Sequence, residues 1–271
     1  QGLAEFLPIS SSGHLALFQT FFGMENMEEK YMFFTVLLHF GTLISVCMVY
    51  WRDIVDMIRE FFLGIAALAG RKDTGVAPPP ARRMVMRIII ATVPLFVMVF
   101  LQDAVNQLFS NSIMVSCALL ATGFILFFSD RMARGHKTAK NATVADALIV
   151  GCGQALAVIP GLSRSGTTIS VGMMRGFDRA FAVRFSFLMS LPAVLGANVL
   201  EIKDALASNF PIEELPMYLV GVAVSAVVGY FAIRLVKSLS DKGKFGKFAY
   251  YCWAVGLGSL VAGIVKMMLL K

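Results

Sequence analysis

Residues 144–177 read VADALIVGCGQALAVIPGLSRSGTTISVGMMRGF. The stretch is long enough to cross a membrane, yet its centre holds Pro160-Gly161 and the polar run Ser163-Arg164-Ser165-Gly166-Thr167-Thr168. Such a run cannot face hydrocarbon, because its backbone and side-chain polar groups would find no partner there. The surrounding charges decide how it sits. A bilayer core about 30 Å thick needs about 20 apolar helical residues, and six other segments supply them: 31–51, 84–101, 112–129, 181–200, 217–236 and 248–265. The connections 52–83, 130–143 and 237–247, with Arg87 just inside the second span, carry 15 Lys/Arg. The segments 23–30, 102–111 and 201–216 carry two, Lys30 and Lys203, beside eight acidic residues. The positive-inside rule makes the first group cytoplasmic and the second external. The first three spans then leave the chain in the cytoplasm at residue 130, and the last three require it there again at 181. Residues 144–177 must enter and leave on the same side, as a re-entrant helical hairpin with a polar tip buried in protein.

Composition agrees with lipid as the solvent. Of the 271 residues, 58% are hydrophobic and 15% charged, where a soluble domain is nearer half apolar and a quarter charged. Those values exclude a disordered chain, a disulfide scaffold and a nucleic-acid module; the net charge of +7 matters through its placement. Cys47, Cys117, Cys152 and Cys252 lie in apolar stretches without paired spacing and read as small core residues. The chain starts on Gln1 without an initiator Met, so a short N-terminal segment is expected to be missing.

The N-terminal stretch 3–22 has the same character, apolar around Glu5, Pro8, Ser10-Ser11-Ser12-Gly13 and His14. A shift of 153 residues, without a gap, aligns Gln1, Leu3, Ala4, Ser10, Ser12 and Gly13 with Gln154, Leu156, Ala157, Ser163, Ser165 and Gly166, six identities in fourteen. An odd number of spans separates the copies, so they enter from opposite sides. The expected fold is an all-α integral membrane protein of about six full transmembrane helices. It is a single transmembrane domain over 1–271, built as an inverted-topology repeat (about 1–101 and about 144–236) with two re-entrant helical hairpins meeting near the midplane.

Each tip places Ser-x-Ser-Gly before helix-compatible residues. Serine caps helix N-termini, whose free N–H groups and positive dipole end attract anions, phosphate above all. The copies differ where chemistry would need them to: Ser11 faces Arg164 in the alignment, His14 faces Thr167, and Glu5 faces Val158. Arg164 at membrane depth is costly unless an anion answers it; that anion is Glu5 in a structural pair, or a substrate phosphate. Glu5 reads as that partner, as a general acid/base, or as a ligand for a divalent cation. Ser11 and His14, three apart on one helix face, could form a nucleophile and its base, or His14 could protonate a leaving oxygen. His39 is mid-span and expected to hydrogen-bond a neighbouring helix.

The run Gln1 to His14, QGLAEFLPISSSGH, resembles the first signature of the undecaprenyl-diphosphatase family associated with bacitracin resistance, and Pro160 to Thr168, PGLSRSGTT, looks like its second. The resemblance implies a bacterial plasma (inner) membrane hydrolase with its active site facing outward. Such an enzyme converts the lipid undecaprenyl diphosphate to the monophosphate, recycling the carrier for peptidoglycan and other envelope polymers. It implies catalytic roles for Glu5, Ser11, His14 and Arg164, with Gln1, Ser10, Ser12, Ser163, Ser165 and Thr168 around the phosphates. It also implies dependence on a divalent cation, Mg or Ca, with Glu5 its candidate ligand, and no organic cofactor. Gln1 stands where the family shows Glu or Gln and is a weaker cation ligand. Membrane lipids and no nucleic acid are the expected partners, and a homodimer is left open. The alternative is a lipid-phosphate or anion transporter, or a flippase, using the same two tips.

Overall fold

In hydrocarbon, backbone polar groups must be satisfied within the chain, and helices do this one segment at a time. The computed structural model describes residues 1–22, 32–68, 78–101, 105, 107, 108, 111–207 and 212–269. Its helices are α1 (Ser11–Phe22), α2 (Met32–Leu68), α3 (Pro80–Phe100), α4 (Ser112–Met132), α5 (Val144–Leu156), α6 (Arg164–Met174), α7 (Arg179–Ala207), α8 (Leu215–Asp241) and α9 (Phe248–Leu269). Single 3-10 turns precede α8 and α9. Six of these, α2, α3, α4, α7, α8 and α9, are long and apolar enough to cross a membrane, so the chain is an all-α, multi-pass membrane protein. α4 lies along α9, α2 along α8 and α7, and α3 along α5, while α6 is enclosed by α4, α5 and α7. The core is aromatic at its centre: Phe6 meets Phe187 edge-on at 5.6 Å, and Phe177 meets Phe185 in the same way at 5.7 Å.

Two sequence expectations need correction. The first basic connection was expected to begin at residue 52, but α2 continues to Leu68, bending at Tyr50 (φ −113°, ψ 26°). Its charged extension is held by ion pairs that no hydropathy profile contains, Glu60 with Arg82 at 3.0 Å and Asp53 with Arg184. Among the cysteines, Cys252 is buried and Cys47 partly so, but Cys117 and Cys152 are exposed on the helix surface; a thiol is apolar enough for a lipid-facing position. The acidic segment 23–30, residues 69–77 of the first basic connection, and most of 102–111 and 208–211 lie outside the described residues.

The stretch 144–177 forms two short helices. α5 has 13 residues and α6 has 11, which at 1.5 Å per residue is roughly 20 and 17 Å, well short of a bilayer core. Their outer ends are tied together: the Lys137 N–H donates to the Gly176 carbonyl and the Asp178 N–H to the Lys137 carbonyl, both at 2.9 Å. The chain thus enters and leaves this pair of helices at one end. Asp146 fastens that end. Its buried carboxylate closes a capping box with Thr143 and takes Lys137 Nζ at 2.8 Å and the Arg175 guanidinium at 2.9 Å. Both cations are partly exposed and can rehydrate, so Asp146→Ala is expected to cost about 3 kcal/mol, at the low end for a broken buried pair. Asp146→Asn, which keeps a cap acceptor, should cost less; thermal unfolding of the two variants in detergent measures the difference.

Candidate active site

The two polar tips meet at the ends of α1 and α6. At each, the serine before the helix accepts the N–H of the glycine three residues on: Ser10 Oγ from Gly13 and Ser163 Oγ from Gly166, both at 3.1 Å. The hydroxyls of Ser10 and Ser12 are 3.4 Å apart, those of Ser163 and Ser165 3.3 Å. Residues matched by the 153-residue shift therefore make matching contacts. The tips also press on each other. A Cβ on Gly13 would stand 2.8 Å from the Gly161 Cα, and Gly161 takes the left-handed φ of +96° that favours glycine. Ser165 Oγ crosses to the Leu7 carbonyl at 3.3 Å. Ser10 also has a positive φ, +67°, a conformation costing roughly 1–2 kcal/mol for a residue with a Cβ. It turns the chain so that the Ser10 carbonyl receives both the His14 N–H at 3.2 Å and the ring Nδ1 at 2.8 Å.

Glu5 is the hub. One carboxylate oxygen is ion-paired with Arg164. The other accepts the Ser11 hydroxyl at 3.0 Å and the Gln1 amide N–H at 3.1 Å. Four of the residues singled out in the sequence, from both copies of the repeat, are thereby joined through one carboxylate. The anticipated Ser11–His14 pair does not form: Ser11 turns to Glu5, while both ring nitrogens of His14 are taken elsewhere, Nδ1 by Ser10 and Nε2 by the Tyr251 hydroxyl at 2.9 Å. A polar cavity of about 40 Å³ separates the tips, lined by Glu5, Ser10, Ser11, Ser12, Ser163 and Arg164 among others. That is room for a water or two while Glu5 holds Arg164. Ser165 and Thr168 are not in this lining; Thr168 Oγ1 donates to the Arg164 carbonyl at 2.8 Å and meets the Ser186 hydroxyl, contacts that brace α6.

Mg and Ca take six or more oxygen ligands. Among the described residues no cluster of three or more His, Cys, Asp or Glu side chains could hold a metal ion. Glu5, the single carboxylate here, has both oxygens engaged by donors, one of them a cation. A divalent ion at Glu5 would have to displace one of these donors.

One neighbour was not found from the sequence. Tyr251 sits in an apolar helix with no motif around it, so nothing in the local sequence marks it.

A multi-pass helical membrane protein with an Arg–Glu–Ser constellation at two apposed helix ends is the class that fold and site define. The sequence model described as Bacitracin resistance protein BacA matches residues 1–258. The chain is 41% identical over 257 residues to the undecaprenyl-diphosphatase of Alkaliphilus metalliredigens, covering 94% of this chain and 92% of that protein. It is 38% identical over 269 residues to that of Methanosphaera stadtmanae (98% and 95%) and 40% over 266 residues to that of Halothermothrix orenii (97% and 95%). The chain belongs to the BacA family.

Proposed function

We propose that this chain is an undecaprenyl-diphosphatase, removing the terminal phosphate of the lipid diphosphate to return the monophosphate carrier to envelope polymer synthesis and so conferring bacitracin resistance. The observation that carries the mechanism is the Ser11 hydroxyl donating to Glu5 at 3.0 Å, with Arg164 on the other carboxylate oxygen. A serine next to a carboxylate acceptor is an activated nucleophile, and a guanidinium beside it is a phosphoryl clamp.

In this reading the prenyl chain lies among the helices and the diphosphate enters between the tips, taking over Arg164. Ser11 Oγ attacks the terminal phosphorus and gives its proton to Glu5. The bridging P–O bond breaks, undecaprenyl phosphate leaves with that electron pair, and Glu5 returns the proton to it. Glu5 then takes a proton from the water that attacks the phosphoserine; the Oγ–P bond breaks, Glu5 passes that proton to Ser11 Oγ, and inorganic phosphate is released. Arg164 and the N–H groups at the starts of α1 and α6 neutralise charge on the phosphoryl oxygens throughout. His14 serves as the second proton-bearing group of the first tip. The membrane is the bacterial inner membrane. The hairpin formed by α5 and α6 is re-entrant from the cytoplasm, and the site opens outward; the parity of basic and acidic loops supports this orientation.

Incubating the purified protein with undecaprenyl diphosphate in detergent micelles should release phosphate, although micelles separate no compartments. No release would favour the transporter reading. Acid quench during turnover should trap phosphate on Ser11, and Ser11→Ala should lose about a thousandfold in kcat. A Ser11→Ala enzyme at near-parental rate would move the attack to a water activated by Glu5.

A further inference from the structure

The free face of the His14 ring does not point into open space. A carbonyl oxygen only accepts, so the 2.8 Å contact with Ser10 fixes a hydrogen on Nδ1. The remaining nitrogen, Nε2, is 2.9 Å from the Tyr251 hydroxyl. The two rings also lie nearly parallel, with centroids 5.6 Å apart and planes 13° from each other. Tyr251 belongs to α9, 237 residues along the chain from His14 and outside both signatures.

We propose that Tyr251 is a positioning residue for His14. The stacked phenol fixes the plane of the imidazole, and the hydroxyl fixes the direction of its one adjustable hydrogen bond. With Nδ1–H held by Ser10, the phenol donates to a neutral ring and accepts from a protonated one. It therefore keeps hold of His14 whether or not that ring carries a proton, which a purely accepting or purely donating partner could not do.

The inference rests on His14 being part of the machinery described above, and the experiment separates the two. Tyr251→Phe keeps the stacked ring and removes one oxygen from a side chain that is 44% exposed, so little packing is at stake. In the micelle assay kcat should fall about tenfold, the upper range for one lost hydrogen bond, with KM unchanged. In a His14→Ala background the same substitution should have no further effect. Tyr251→Leu, which also loses the stacking, should fall further than Tyr251→Phe in the parent and be equally silent in the His14→Ala background. Tyr251→Phe at the parental rate, with His14→Ala slow, would overturn the positioning role and leave the site intact. A rise in KM of the same size in both backgrounds would make Tyr251 a substrate contact and overturn it as well. His14→Ala at the parental rate would remove His14 from the site, and the inference with it.

Discussion

Arg164→Ala should lower kcat/KM for undecaprenyl diphosphate by about a thousandfold, the scale on which a guanidinium clamp contributes to phosphoryl transfer. Arg164 is the residue of the second tip that reaches the Glu5 carboxylate of the first, and among the described residues lining the cavity it is the one cation. Removing it also leaves Glu5 without its ion-pair partner in a part-buried site. A carboxylate in that position is driven toward its protonated form, and a protonated Glu5 cannot take the Ser11 proton. Both halves of the mechanism therefore fail together. Arg164→Lys should fall between the parent and the alanine variant, because an ammonium restores charge but not the planar fork that grips two phosphoryl oxygens at once. Kinetics of the three proteins in micelles provide the comparison, and an Arg164→Ala enzyme within a few-fold of the parent would contradict the assignment.

Glu5→Gln should be as damaging to kcat, on the order of a thousandfold, but with an opposite effect on affinity for phosphate. In the empty site Glu5 and a phosphate are rivals for the same guanidinium. The glutamine is nearly isosteric and uncharged, so it cannot act as base for Ser11 and no longer competes for Arg164. Product inhibition by inorganic phosphate should become tighter even as turnover collapses. Replacing Arg164 gives slow turnover with weak phosphate inhibition, so the inhibition constant tells the two losses apart. Glu5→Gln with unchanged turnover would refute a base role outright.

The parts of this architecture that depend on one residue at a time were readable in the sequence. Apolar length located the six long helices, and the polar run 163–168 with its earlier echo at 10–13 located both tips. Interactions settled by three-dimensional competition were not. Ser11 and His14 have the spacing of a helical pair, yet a carboxylate six residues upstream captures the serine, while the left-handed turn at Ser10 and a tyrosine from the other end of the chain capture the histidine. Likewise Arg52, Asp53, Asp56, Arg59 and Glu60 look like a solvated loop by composition, but helical hydrogen bonding carries through them because Arg82 and Arg184 reach back from other elements.

The last helix closes on the first tip at several levels: Tyr251 at His14, the Cys252 thiol at the Pro8 carbonyl, and Lys266 Nζ at the Thr20 carbonyl. During synthesis the N-terminal tip is made first, but these partners emerge some 240 residues later. At a ribosome's pace of about 5–20 residues per second, the first tip waits on the order of ten seconds or more for its final cover. Assembly of the candidate site is thus tied to synthesis of α9, and a chain released before that helix carries Ser11 and His14 without the wall that surrounds them.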